Sequence, residues 1–176
     1  MSERTLYLFD GIHKGSVKPI IEQIMKLNQA DDEKDKKEKD FKRIPIDLII
    51  NSNGGSVYDG LGLINVIENS KTPVHTYVYG FAASMSLLIA VSGHKRYSGR
   101  LSTFMYHSVS NHIEGQLERL KNRIEETQRL QNVYDEYLIS RTKLLVEDLR
   151  NVQEHHRDKF FSPEEALEAG IIDEII

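Results

Sequence analysis

The chain has 176 residues, which suits one domain with a sizeable core. A hydrophobic fraction of 39%, a charged fraction of 28% and a formal net charge of −4 describe a globular protein without the basic face of a nucleic-acid binder. The sequence has no cysteine, hence no disulfide, thiolate zinc site or cysteine nucleophile; no apolar run nears the roughly 18 residues of a membrane span, and no signal-peptide pattern opens it, so a cytoplasmic location is expected.

Residues 5–9, TLYLF, read as a short strand with Asp10-Gly11 as a turn behind it. In 16–29 a capping serine precedes apolar Ile20, Ile21, Ile24, Met25 and Leu27, which predicts a helix. Residues 30–43, ADDEKDKKEKDFKR, are almost wholly charged and mixed in sign, so a solvated surface loop is expected there. IPIDLIINS (44–52) is β-branched and apolar at nearly every position, as a strand buried on both faces would be. After Asn53-Gly54-Gly55 comes a helical period over 56–70, then a second strand (72–80) and a second helix (82–93) ending near Gly93.

Residues 97–107, YSGRLSTFMYH, hold further short strand material. Two strand–turn–helix units with short connections predict parallel strands and an α/β fold in a single domain spanning 1–176. From Gly115 to about Asn151 a long helical region carries Leu117, Leu120, Ile124, Tyr134 and Leu138 near one stripe, with a break at Arg141–Thr142. The closing segment offers a serine cap, Pro163 at the first helical position, Glu164 and Glu165 in the first turn, Gly170 as a stop, and a last strand.

Several residues have the chemistry of a catalytic site. Ser84 stands at the head of a helix, between small residues that let a substrate backbone approach, and near the positive end of the macrodipole. Ser86 is its local rival. Gly54-Gly55 leaves the preceding strand at the same sheet edge, so the amides of Gly55 and Met85 point to a shared oxyanion. Among seven histidines, His107 alone ends an apolar strand; His13 and His112 read as solvent-facing, His75 lies within a strand, and His94 follows a helix stop. Asp158, ahead of an aromatic pair, is the candidate orienting carboxylate, with Asp173 and Glu174 as alternatives. EHHRD invites a metal reading, but no HExxH or comparable ligand spacing occurs, and no phosphate- or dinucleotide-binding glycine pattern is present. No metal or cofactor is expected. Nucleophile, base, orienter and two oxyanion donors make up the parts of acyl transfer.

These segments resemble the proteolytic subunit of the Clp protease (the ClpP family). INSNGGSVYDGLGLINVI is similar to that family's I-N-S-P-G-G segment and following helix, and YGFAASMSLLIAVSGHKR to its G-x-A-A-S-M nucleophile motif. FMYH resembles the strand ending in the catalytic histidine, and HHRDKFFSPEEALEAGIIDEII the closing R-D-x-F-x-S segment. The resemblance runs in order over nearly the whole chain. It implies Ser84 as nucleophile, His107 as base and Asp158 as orienter, with the Gly55 and Met85 amides as oxyanion donors. It also implies a crotonase-like α/β spiral, a handle helix over 115–151, heptameric rings stacked into a tetradecamer, and polypeptide substrates.

A Clp-type AAA+ ATPase is the implied partner, although the chain begins at about the family's first core strand, without the segment that forms axial pore loops. His107 is followed by Ser108-Val109 where the family usually has Gln-Pro, and the 30–43 segment is longer and more charged than expected, away from the triad. Shortened relatives of this kind include capsid-maturation proteases of phages. Two competing readings are a non-catalytic scaffold subunit paired with an active paralogue, and a crotonase-type acyl-CoA enzyme, which shares the two-amide oxyanion hole but needs no serine.

Overall fold

In the computed structural model, which describes residues 3–110 and 114–176, five parallel strands hydrogen-bond side by side. They are β1 (Thr5–Leu8), β2 (Ile46–Ser52), β3 (Val74–Ala83), β4 (Lys95–Ser98) and β7 (Glu174–Ile175), in that spatial order. Two more strands branch from the last residues of β3. There β5 (Thr103–Tyr106) runs parallel, and β6 (Lys159–Phe161) pairs antiparallel with β5. The first half of β3 pairs with β4 and its end with β5, so this strand carries the sheet from its body to a small annex.

The helices are α1 (Lys14–Lys37), α2 (Val57–Glu68), α3 (Met85–Val91), α4 (Leu117–Arg141), α5 (Val146–Glu154) and α6 (Pro163–Glu168). Ile20, Ile24 and Leu27 of α1, Leu63, Ile64 and Ile67 of α2 and all of α3 are buried with Leu8, Ile46, Leu48, Ile50 and Val78 of the sheet in one core. β2 alternates buried Ile46, Leu48 and Ile50 with half-buried Asp47 and Ile49, so only one face is helix-covered. The expectation of burial on both faces is corrected here. The opposite face is aromatic, with Tyr77 stacked on Tyr97 at 4.7 Å and on Tyr79 at 6.2 Å.

The charged tract differs from expectation more sharply. Instead of forming a loop from residue 30, the chain stays helical to Lys37. The reason is docking by cations. Asp31 is fully buried, paired with Arg4 ahead of β1, and accepts from the Thr72 hydroxyl at 2.8 Å; Asp32 is paired with Arg43. Lys34, Lys36 and Lys37 occupy the last turn, where positive charge suits the helix dipole. At the other end Ser16 is not the cap. His13 Nδ1 accepts from the Gly15 N–H at 3.1 Å, and Ser16 Oγ accepts from the His13 N–H at 3.1 Å, a capping box.

The stripe expected along α4 divides in two. Leu130, Tyr134 and Leu138 are buried, whereas Leu117 (65% exposed) and Ile124 (60%) face outward on a first half that is exposed at most positions. Among the described residues no helix is long and apolar enough to cross a membrane.

Candidate active site

Ser84 stands between β3 and α3 at φ 54 and ψ −128, a left-handed conformation that costs a residue with a side chain about 1–3 kcal/mol. It therefore precedes the helix as its N-cap instead of lying inside the first turn. Three bonds hold the strained residue. Its N–H donates to Met105 O at 2.9 Å; its carbonyl accepts from the Leu87 N–H at 2.9 Å and from the Tyr134 hydroxyl at 2.8 Å. Its own hydroxyl caps nothing, and the residue is half-buried. Such a strand-to-helix turn lifts a side chain clear of the sheet edge. Ser86 is the opposite case: buried, its Oγ accepts from the Ala83 N–H at 2.8 Å and donates to Ser52 O at 2.6 Å. Of the two, only Ser84 has a hydroxyl with no hydrogen-bond partner among the described residues.

The sheet register brings the other candidates to the same edge. Ala83 pairs with Met105 in the parallel β3–β5 ladder, so Ser84 and His107 follow one and two residues beyond the paired ends of two neighbouring strands, the strands themselves lying about 5 Å apart. In the antiparallel β5–β6 ladder Tyr106 pairs with Lys159, and continuing it by one step sets His107 opposite Asp158. His156, at φ 48, makes the turn that delivers Asp158 from α5 to the start of β6. His107 is half-buried and Asp158 exposed. Among the described residues the side chains of Ser84, His107 and Asp158 form no hydrogen bond with one another. Unliganded sites commonly hold such contacts long, closing them on substrate.

Gly54 lies against Ser84, and Gly55 next to it lies against the backbone of Ile12. A Cβ on Gly54 (φ 92) would lie 2.8 Å from Ser84 Cβ and 3.0 Å from Met85 N, so only glycine permits this approach. The turn is pinned from behind, since the Ile12 N–H donates to Gly54 O and the Ser56 N–H to Ile12 O, each at 2.8 Å. Among the described residues neither the Gly55 nor the Met85 N–H has an acceptor. Met85 is buried and is the first residue of α3, where a backbone N–H has no partner within the helix.

The remaining candidates lie elsewhere. Asp173 is bound to Arg96, whose Nε is 3.1 Å and backbone N 2.9 Å from its Oδ2. Burial pushes its carboxyl up, but the Arg96 bonds and charge outweigh that and leave it below the usual range. Arg96 pairs with Thr76, eight residues back along β3 from Ser84 and so roughly 25 Å away. Glu174 is exposed on β7. His13 caps α1, His75 lies in β3 with its pKa lowered chiefly by burial, and His94 Nδ1 accepts from the Val74 N–H at 3.1 Å. His112 lies outside the described residues.

Sequence reasoning missed the polar cluster behind the site. The Tyr106 hydroxyl donates to Asp135 Oδ1 at 2.7 Å, Gln153 Nε2 to Asp135 Oδ2 at 2.7 Å, and the Val109 N–H to Gln131 Oε1 at 2.6 Å. Its only sequence signal is Gln131 and Asp135 four residues apart, flanking Tyr134, on the buried side of α4.

Comparison with known proteins adds to this geometry. The family model described as Clp protease matches residues 1–176. The chain is 35% identical over 178 residues to ATP-dependent Clp protease proteolytic subunit 2 of Parasynechococcus marenigrum (strain WH8102), covering 100% of this chain and 84% of that protein. The same identity and coverages hold for the subunit 2 of Synechococcus sp. (strain CC9605). It is 34% identical over 177 residues to proteolytic subunit 1 of Prochlorococcus marinus (strain NATL2A), covering 99% of this chain and 84% of that protein.

Proposed function

The chain belongs to the Clp protease family, and from that premise we propose that it is a serine endopeptidase whose triad is Ser84, His107 and Asp158. The observation that carries this reading is Ser84 itself, a strained residue with a free hydroxyl at the end of β3, beside the strand end that bears His107. The β5–β6 register supports Asp158 as its third member.

In this reading Ser84 Oγ attacks the carbonyl carbon of a peptide bond while His107 takes the hydroxyl proton. Asp158 keeps the imidazole in the needed tautomer and stabilises the imidazolium. Negative charge gathers on the former carbonyl oxygen, where the Gly55 and Met85 N–H groups donate to it. His107 passes its proton to the leaving amine, which departs and leaves an ester on Ser84. Water, deprotonated by the same histidine, then hydrolyses that ester and restores the hydroxyl. Family membership further supports assembly of stacked heptameric rings that admit unfolded or threaded chains, with a Clp-type AAA+ ATPase to deliver them.

A fluorophosphonate probe followed by peptide mapping tests the centre of the proposal. Wild type is expected to carry the label on Ser84, and Ser84→Ala to lose both label and cleavage of a short fluorogenic peptide. Equal labelling of the two proteins overturns the assignment. Casein digestion with and without a Clp ATPase then measures the need for delivery.

A further inference from the structure

One turn of α4 presents Gln131, Tyr134 and Asp135 to the strand ends that bear Ser84 and His107. The Tyr134 hydroxyl donates to the Ser84 carbonyl oxygen at 2.8 Å, across 50 residues of sequence. That oxygen belongs to the same peptide group as the Met85 N–H. A peptide group is planar, so fixing its oxygen also fixes the direction of its hydrogen. We propose that Tyr134 is a positioning residue: its bond to the Ser84 carbonyl holds the strained Ser84–Met85 peptide with the N–H aimed at the reacting oxyanion. The inference rests on the serine-peptidase reading above and adds to it the support that keeps the oxyanion donor in place.

Three features make Tyr134 suited to this. First, a residue at φ 54 relaxes unless its surroundings over-determine it. The Leu87 N–H bond at 2.9 Å fixes the carbonyl from within α3, and the tyrosine fixes it from α4, so two directions define the plane. Second, the hydroxyl remains a donor. Tyr134 is 2% exposed, and burial first, then the nearby Tyr106 and Asp135, raise its pKa well above the ordinary value. A donor on the carbonyl also polarises the peptide and strengthens its N–H as a donor in turn.

Third, the turn of α4 cannot rotate freely. Gln131 Nε2 donates to Asp135 Oδ1 at 2.8 Å, Asp135 accepts from Tyr106 and Gln153, and Gln131 accepts from the Val109 N–H. Tyr106 immediately precedes His107, and its ring packs against Tyr134 at 5.7 Å. The same turn that fixes the Ser84 peptide therefore grips the chain on both sides of His107.

The test uses the full chain in its native assembly state. Tyr134→Phe keeps the ring and removes the hydroxyl; Tyr137→Phe, whose hydroxyl bonds Glu68 of α2 at 2.7 Å, removes an equivalent bond away from the site. The readouts are the rate of Ser84 labelling by fluorophosphonate and the split between kcat and KM on a fluorogenic peptide. Loss of a whole oxyanion donor costs roughly 10²–10³-fold, so loss of its support is expected to cut kcat and labelling about tenfold, with KM within about twofold. Tyr137→Phe is expected to match wild type.

Wild type that fails to label at Ser84 overturns the peptidase reading, and this inference with it. A labelling wild type with an equally fast Tyr134→Phe, or equal slowing in both variants, overturns the positioning role alone. If Tyr134→Phe does not fold, 3-fluorotyrosine at position 134 keeps the bond with a more acidic donor. Faster labelling is then expected, and an unchanged or slower rate overturns the inference.

Discussion

At Ser84 the chain accepts a conformation that an ordinary helix cap does not need. A serine that merely caps bonds the N–H groups of the first turn; Ser84 leaves its hydroxyl unused and spends three backbone bonds on a left-handed φ. Gly54 is the partner of that choice, because its missing Cβ is what lets the turn after β2 touch Ser84. Gly54→Ala puts a methyl group 2.6 Å from Ala83 O and 2.8 Å from Ser84 Cβ at φ 92. The expected outcome is loss of Ser84 labelling by at least about a hundredfold, with a melting temperature lowered by several degrees, as read by calorimetry beside the labelling assay. The strand-end positions of Ser84, His107 and the glycine pair were legible in the sequence, since each follows a strand-like run. The distinction between Ser84 and Ser86 was not. It depends on the Ser52 carbonyl, 34 residues earlier, taking the Ser86 hydroxyl.

The helices show how far local patterns reach. Apolar spacing found α1, but its charged end looked like a loop because Asp and Lys signal solvent when read alone. Asp31 is instead sealed between Arg4 and Thr72, far away in sequence. Asp31→Asn leaves the Arg4 charge with a weaker partner, and a loss of about 2–3 kcal/mol in denaturant unfolding is expected. A pH effect accompanies it. Burial raises the Asp31 carboxyl, but the Arg4 and Thr72 bonds and the Arg4 and Arg43 charges outweigh burial and hold it below its ordinary value. The folded state thus binds this proton less readily than the unfolded chain, where the value is about 3.9. The stabilisation is complete above that point and drains away as pH falls through the lower folded value. Melting temperatures taken from pH 6 down to about 3 are expected to drop more steeply for wild type than for Asp31→Asn; parallel curves refute the pairing argument.

For the whole molecule, two surfaces look unfinished in a single chain. The sheet face without helices carries stacked Tyr77, Tyr79 and Tyr97, and the first half of α4 exposes Leu117 and Ile124. Exposed apolar residues on one helix favour burial against another surface. The proposed ring assembly supplies one. Sedimentation of wild type is expected to give a mass that is a multiple of the 20.3 kDa chain, and Ile124→Glu a smaller species with unchanged circular dichroism. A wild-type monomer stable at micromolar concentration rules that assembly out.

The order of strands and helices, the α/β class and the strand-end places of the motif residues could all be read along the chain. Those features follow from short-range spacing, which apolar periodicity and glycine placement encode directly. It took the folded arrangement to establish that β2 has one buried face, that α1 runs on to Lys37, that Ser84 is strained, and that the Tyr134 hydroxyl bonds its carbonyl. Each of these depends on a partner tens of residues away, supplied by a helix layer, a distant cation or a facing hydroxyl. No local period carries that information, because the energy of burying a polar group depends on what the fold brings to meet it.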